Sequence, residues 1–549
     1  MTTTADDYRA ASDEEIRTTI ATGTLDDIEV LFDLLWYELP GRFGPSVVDA
    51  LQGTSSTTYE QRPRLLHAAL LAHNRSRIDT PDSGGLPRVL HTVAVYGRGY
   101  ASRLAGFARA GDLVTAGTIA VVSARLRDAF DESERLGAWV DQQLTLRGTG
   151  HALPWSPEHA ATKPGWLSSQ RGLTAMLAGR LDSAVKLFTK AYIEAGPPPY
   201  AHFAGANAVA NLALLAAYRG HLDLARTWLT ALKGLGAVPS WMEHMMTVGA
   251  EIARALIAIE EADPVEARHR LAAVGSPHQR LELWPFIVFA HSSYAALFGD
   301  PHAALARLDE ARTLHGALDP DPATLQGQLL LRSEAKLLLK AHEANRLLRL
   351  SRRHPDLPSV TQQAAWAYLL GGDPHRAIRA GAEALHQLHV PIPDQMALHL
   401  VIAVAHLRTG NKQRAVSAFR KAVRLRASDK HVKPFLAAEP ADVGLLAQLA
   451  EVPNPLADRP VQRVNLPSRT QLLRLSPRES AVLGALSGGD TAIQAAARFD
   501  VSPNTVRTQI RSIYRKLGVS GRAEALARAE ELGLLLDVRD GSPGGPSAT

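Results

Sequence analysis

Between Ser502 and Leu517, the residues Asn504, Arg507, Thr508, Arg511 and Arg515 recur at the three- and four-residue intervals that place side chains on one face of a helix. No acid interrupts that face. Guanidinium forks match phosphate oxygens and guanine edges, and asparagine and threonine bond to bases or backbone, so the chemistry on offer is recognition of a polyanion. The other face, Val506, Ile510, Ile513 and Leu517, is apolar and needs something to pack against. A lone helix of this kind is more often simply solvated. The residues before it decide between the two.

Ser502-Pro503 opens this helix with a capping hydroxyl and a proline preset for the first turn, and Gly518 supplies a left-handed stop. Upstream, Ser476-Pro477-Arg478-Glu479 is a second capping signature, with the glutamate placed to reach back to the serine. It predicts a helix that buries Val482, Leu483 and Leu486 and stops at Gly488-Gly489-Asp490. Thr491 caps a short second helix, whose inward residues are expected to be Ile493, Ala496 and Phe499, and a tight turn follows at Asp500 and Val501. Two separately capped short helices across a tight turn favour nucleic acid over mere solvation.

The stretch from Leu475 to roughly Leu534 resembles the LuxR-type (GerE-like) helix-turn-helix of bacterial transcription regulators: LSPRE opens it, VSPNTVRTQIRSIYRKLGV forms its middle, and GRAEAL follows. The resemblance implies that Ala492 to Arg511 is the helix-turn-helix proper. It implies double-stranded DNA as partner, with contacts drawn from Thr491, Ser502, Asn504, Thr505, Arg507, Thr508, Gln509, Arg511, Arg515 and Lys516. It also implies a homodimer on DNA, joined along a fourth helix at about Arg522 to Leu532. There Ala523, Leu526, Ala527 and Glu530 share a face by spacing. RNA polymerase is a further candidate partner. Gln494 and Ala495 stand where the family usually has Glu-Ile, and Gln509 where histidine is frequent, which bears on the DNA sequence read and not on the fold.

The 549 residues are enough for several domains or one extended array, and 46% hydrophobic residues exclude a mostly disordered chain. A net charge of +5, from 60 basic and 55 acidic residues, says little by itself. Its distribution says more: Arg408 to Lys433 holds nine Lys or Arg against one acid, Asp429, and Arg459, Arg463, Arg469 and Arg474 follow. As with any charge run, a solvated helix face explains the first segment equally well. With no cysteine there are no disulfides and no thiolate metal sites or nucleophiles. The N-terminus MTTTADDYRAASDEE lacks a secretory pattern, and no stretch reaches about 18 uninterrupted apolar residues, so the expectation is a soluble cytoplasmic protein without membrane partners.

From about Asp7 to Ala450 the chain reads as helix throughout, which with the terminal module predicts an all-α fold. GRLDSAVKLFTKA sets a spacing from Gly179 to Ala184, Phe188 and Ala191, which recurs after Gly220, Gly299 and Gly410. The copy after Gly372 is imperfect, with Gly381 in the large-residue place, and weaker copies start at Gly111 and Ala262. Seven residues before the glycines stand the small residues Gly172, Ala213, Ser292, Ala365 and Ala403, as close helix crossing requires. The pattern resembles the tetratricopeptide repeat. Its second-helix alanines at 184, 225, 267, 304, 344, 377 and 415 lie mostly further apart than the family's usual step, so a degenerate tetratricopeptide-like α-solenoid is expected. The expected division is degenerate helical repeats over 1–165, the repeat array over 166–450, a proline-rich linker over 451–470, the helix-turn-helix domain over 471–536 and a disordered tail over 537–549.

No phosphate loop, dinucleotide fingerprint, zinc-protease pair or nucleophile elbow occurs, and His342-Glu343 lacks a completing histidine. No catalytic residue, metal ligand or cofactor is therefore expected, and the chain does not read as an enzyme. Trp155, Trp166, Trp228 and Trp284 fit repeat packing better than a ligand cage. The function expected is a DNA-binding transcriptional regulator whose repeats sense a protein, peptide or small-molecule effector. The alternative is a helical-repeat scaffold whose terminal module docks a protein rather than DNA.

Overall fold

The computed structural model describes residues 11–35, 38–78, 85–148, 157–196, 203–275, 282–387, 390–426, 431–457, 475–532 and 534–535. Among these every regular element is a helix, as the periodicity predicts. None is long and apolar enough to cross a membrane. The chain divides into two compact units, one of residues 1–258, 265–287 and 323–326, the other of 259–264, 288–322 and 327–549. The expected linker and tail fall largely on 458–474 and 536–549, outside the described residues, as does Trp155.

In the first unit the helix pairs Ala110–Arg125 with Phe130–Leu146, Trp166–Leu177 with Leu181–Ala195, and Ala204–Arg219 with Leu222–Gly234 are each joined by a short turn, and the members of each hairpin pack together. The second unit repeats this with Pro358–Leu370 and Pro374–Leu385, then Ile392–Arg408 and Lys412–Arg426. Hairpins turn through a left-handed residue two positions before the second helix at Gly179, Gly220, Gly372 and Gly410, and also at Ala262 and His342, whereas Gly299 is not left-handed and the helix Pro301–Leu314 is capped by the Asp300 carboxylate. Five residues on from each glycine, Ala184, Ala225, Ala377 and Ala415 are fully buried, as the sequence spacing requires. Gly172 is needed where its helix crosses the next, since an added Cβ would lie 2.7 Å from the Phe188 ring. Gly381, which made its copy imperfect, serves the same end against the following helix, where a Cβ would lie 2.9 Å from Ile402.

Two repeat assignments are corrected. Gly111 lies within the helix Ala110–Arg125, and the turn of that hairpin is at Asp128, left-handed with φ 57°; Ser133, five residues on, takes the alanine's buried place. An aspartate tolerates this conformation because its short polar side chain bonds locally, so no glycine marks the turn in the sequence. Ala344 opens its helix, and the residue in register is Leu347, because the turn is His342 and not a glycine. Trp166 and Trp284 are buried, Trp166 stacked on His67 with centroids 4.3 Å apart, and Trp228 meets Tyr192 edge-on.

The first unit also buries a charged network that the sequence does not announce. Arg64 donates to Glu29 at 3.0 Å, Asp33 at 2.5 Å and Asp112 at 2.7 Å, while the fully buried Lys163 donates to Asp33 at 3.0 Å. Burial pushes the Glu29 carboxyl up against the pull of Arg64 and Arg62, and pushes the Lys163 ammonium down against the pull of Asp33. Oppositely charged groups thus hold one another in place where none could sit alone.

Candidate nucleic-acid interface

The terminal module consists of helices Pro477–Ser487, Ala492–Arg498, Pro503–Leu517 and Arg522–Glu531. They close on a core of their own in which Val482, Leu483, Leu486, Ala495, Ala496, Val506, Ile513, Leu517, Ala525 and Ala529 are buried. Ser476 and Glu479 form the expected capping box, Thr491 and Gln494 form a second, and Ser502 accepts from the Thr505 N–H at 3.1 Å. Asp500, with φ 51°, makes the tight turn between the second and third helices, and Gly518 is left-handed at the end of the third. Ile493 is corrected: it is 62% exposed, and Ala495 and Ala496 are buried in its stead. The Thr491 cap fixes where this short helix begins, and counting back from the half-buried Phe499 by three and four reaches Ala496 and Ala495, with Ile493 on the other side.

Glu479 does more than cap. Its carboxylate accepts the Ser476 N–H at 2.6 Å, the Ser512 hydroxyl at 2.7 Å and the Lys516 ammonium at 2.5 Å, so it locks the first helix to the third. Burial pushes the carboxyl up, but the bonds from Lys516, Ser476 and Ser512 outweigh it and bring it down to about 2. A folded-state value below the ordinary 4.5 stabilises the module fully above pH 4.5, and that stabilisation is lost as pH falls toward 2. Thermal unfolding of the module should therefore show a falling midpoint over that window, and Glu479→Gln should flatten the profile while costing about 1–2 kcal/mol at neutral pH. A Glu479→Gln profile parallel to the wild type would contradict this role.

The expected DNA contacts sort by what they already touch. Asn504, Arg507, Thr508, Arg511 and Arg515 are exposed, and no carboxylate partners Arg507, Arg511 or Arg515 among the described residues. Spaced four apart on the helix, those arginines rise about 6 Å from one to the next. The hydroxyls of Thr491, Ser502 and Thr505 serve the caps, and Thr508 Oγ1 donates to Asn504 O at 3.0 Å. Gln509 is half-buried. Lys516, expected on phosphate, is held by Glu479 and sits on the side that joins the first helix. Of the expected dimer face, Ala523, Ala527 and Glu530 are exposed, while Leu526 packs partly on the module's own core.

The wider basic run is partly structural. Arg408 pairs with Asp442 at 3.5 Å, Arg420 donates to Ala450 O at 3.0 Å, Arg426 donates to His431 O at 3.1 Å, and Lys433 pairs with Glu260. Residues 427–430 lie outside the described ones. Lys412, Arg414 and Lys421 of the run are exposed, and in the terminal module the three arginines of the third helix form an exposed row of their own.

Comparison with known proteins bears on this module. Residues 473–529 match the family described as bacterial regulatory proteins, luxR family. The HTH-type transcriptional regulator MalT of Vibrio campbellii is 42% identical over 72 residues, 13% of this chain and 8% of that protein. The MalT of Vibrio cholerae gives the same figures. The probable transcriptional regulatory protein SgaR of Hyphomicrobium methylovorum is 39% identical over 83 residues, 15% of this chain and 39% of that protein. The chain thus spans a small part of the curated relatives it matches, 8% of MalT and 39% of SgaR. Among solved structures, a chain of the APC/C hetero-tetramer Cut9-Hcn1 aligns over 98% of each chain at 14% identity with a TM-score of 0.35, too slight a likeness to bear on the fold. What the matches carry is a LuxR-family helix-turn-helix domain at the C-terminus.

Proposed function

We propose that the chain is a cytoplasmic DNA-binding transcriptional regulator in which the terminal module reads promoter DNA and the helical repeats sense an effector. The observation that carries it is the row Arg507, Arg511 and Arg515 on an exposed helix face, without carboxylate partners, in a domain of the LuxR family. Some exposed arginines elsewhere, Arg42 and Arg346 among them, are paired with acids. The relatives named as transcriptional regulators support the reading over the matched segment. No catalytic step is part of it.

The direct test is a fragment from Arg463 to Asp540, which should fold alone because its core closes on itself. In low salt it should retain genomic DNA fragments, and log affinity should fall with log salt by about 0.9 for each phosphate neutralised. A folded fragment that retains no DNA would return the chain to the scaffold reading.

We place the dimer contact of the DNA-bound form on the exposed strip of Ala523, Ala527 and Glu530, where small side chains let two helices approach closely. Two half-sites joined by such a contact would lie about one helical turn of DNA apart. Ala527→Arg should leave the fragment folded by circular dichroism yet weaken binding to a palindromic site by about tenfold, on the order of 1.4 kcal/mol, with cooperativity lost. Undisturbed cooperativity would show that this face is not the contact.

A further inference from the structure

The helices Ala344–Arg353, Pro374–Leu385 and Lys412–Arg426 are the second members of the last three hairpins of the array. The first helices Pro358–Leu370 and Ile392–Arg408 pack on one another, and each also packs on the second helix before it and the one after it, so the second helices share a layer of their own. Together these three hold twelve Lys or Arg and one acid, Glu383. In the first unit the corresponding helices Phe130–Leu146, Leu181–Ala195 and Leu222–Gly234 hold five Lys or Arg and seven acids. Solvation of this fold therefore does not call for the excess.

The charges also keep the repeat register. Where Leu347, Ala377 and Ala415 are the equivalent buried positions, the residue before each is an exposed arginine: Arg346, Arg376 and Arg414. Their equivalents in the first unit are Glu132, Ser183 and Leu224. On the last helix Arg414, Lys421 and Arg424 are exposed on one face, at i, i+7 and i+10 over about 15 Å. No carboxylate pairs with these three, or with Arg353 and Arg379, among the described residues. Arg346 with Glu343 at 2.6 Å and Arg376 with Asp373 at 3.6 Å are partly exposed pairs three residues apart, of the kind worth little in water. The excess is felt beneath the layer: burial and then the positive charges of Arg414 and His375 hold His406 below its ordinary value, and burial and then Lys421 bring His399 down to about 4.

An acidic protein would also answer such a charge, but a stable protein interface centres on desolvated apolar or aromatic anchors, and no large apolar side chain is exposed on these three helices. A phosphate backbone asks only for distributed positive charge. The module that brings DNA is close at hand. Arg349 donates to the Glu530 carbonyl at the end of its fourth helix at 2.6 Å, and the residues 458–474 between array and module span no more than about 60 Å. Once the module holds DNA, contact by the array is an intramolecular step at high effective concentration.

We propose that this layer is a second DNA-binding surface, in which the three helices hold the phosphates of duplex DNA flanking the site read by the module, whatever the flanking sequence. The inference rests on the reading of the module as a DNA binder and adds the array to the contact.

Fluorescence anisotropy on the full chain compares a short duplex carrying only a site selected by the wild-type protein with the same site flanked on both sides by about twenty base pairs, the order of length that 60 Å covers at 3.4 Å per pair. The flanked duplex should bind at least about tenfold more tightly, with log affinity falling against log salt more steeply by about 0.9 for each added phosphate contact. Arg414→Gln, Lys421→Gln and Arg424→Gln combined should remove most of that advantage and about 2.7 of the slope. The short duplex should still bind as before, with the circular dichroism spectrum unchanged. The proposal is overturned if the flanks add less than about threefold, if the triple variant keeps wild-type affinity and slope on the flanked duplex, or if polyglutamate of equal charge binds the wild-type chain as tightly as that duplex does. Each of these outcomes, with the short duplex bound, leaves the module's own reading standing, whereas a full chain that binds neither duplex brings both down. The two duplexes on the unaltered protein decide the matter even if the variant fails to fold.

Discussion

Replacing Arg507 and Arg511 together by alanine is expected to weaken binding to a DNA fragment selected by the wild-type protein by about a hundredfold or more. Each bidentate guanine contact is worth about 1–3 kcal/mol of discrimination, and both side chains stand exposed on the third helix with no carboxylate to reclaim them. Neither arginine contributes to the module's core, so circular dichroism should be unchanged. The loss should be specific, with affinity for unrelated DNA falling far less. Arg515→Ala, nearer the helix end, should instead lower affinity for all sequences alike and reduce the salt slope by about one. Titrations by fluorescence anisotropy at several salt concentrations separate the two patterns. A double variant that binds the selected fragment within about threefold of the wild type would remove these residues from the base-reading set, since that is well under the energy of one such contact.

The second large effect is expected far from the DNA. Arg64→Met should cost the first unit about 3–5 kcal/mol, because it leaves the buried carboxylates of Glu29 and Asp33 with too little positive charge, Lys163 alone facing Asp33. Methionine fills the volume of the lost stem, so the loss is electrostatic and not a cavity effect. Urea unfolding of the full chain should show the transition of this unit moved to lower denaturant, and protease should cut it sooner. DNA binding by the folded chain should be unaltered, since none of these groups belongs to the terminal module. A loss under about 1 kcal/mol would show that the carboxylates take up protons or reach water instead.

What could be read in the sequence was whatever is enforced within a few residues. Ser476-Pro477 with Glu479, Ser502-Pro503 and Gly518 act on the backbone next to them, and the caps they announce are the caps present. The stripe of Val506, Ile513 and Leu517 marks a buried face at helical spacing, and glycine followed five residues later by alanine marks the hairpins at Gly179, Gly220, Gly372 and Gly410. What escaped depends on neighbours distant in the chain or on a rule with an exception. Asp128 and His342 make left-handed turns that glycine usually marks. Ile493 was misplaced because seven residues are too few for periodicity to fix a phase without its cap. Nothing in the sequence marks Arg64, Lys163 and Lys336 as buried, since a basic residue looks the same whether it meets water or a partner many residues away. The family resemblance puts Lys516 among the DNA contacts, and only the lock on Glu479 shows that it also works inward.

The self-contained core of the terminal module has a consequence for how such proteins come about. Every residue buried in it lies between Val482 and Leu534, and its first and third helices are clamped by a carboxylate of its own. A unit that closes on itself can be cut from one gene and joined to another without any compensating change in what precedes it. Inheritance could then treat the DNA-reading head and the helical repeats as separate lineages, and the likeness to MalT, over 72 residues and 8% of that protein, is of the short extent such shuffling would leave.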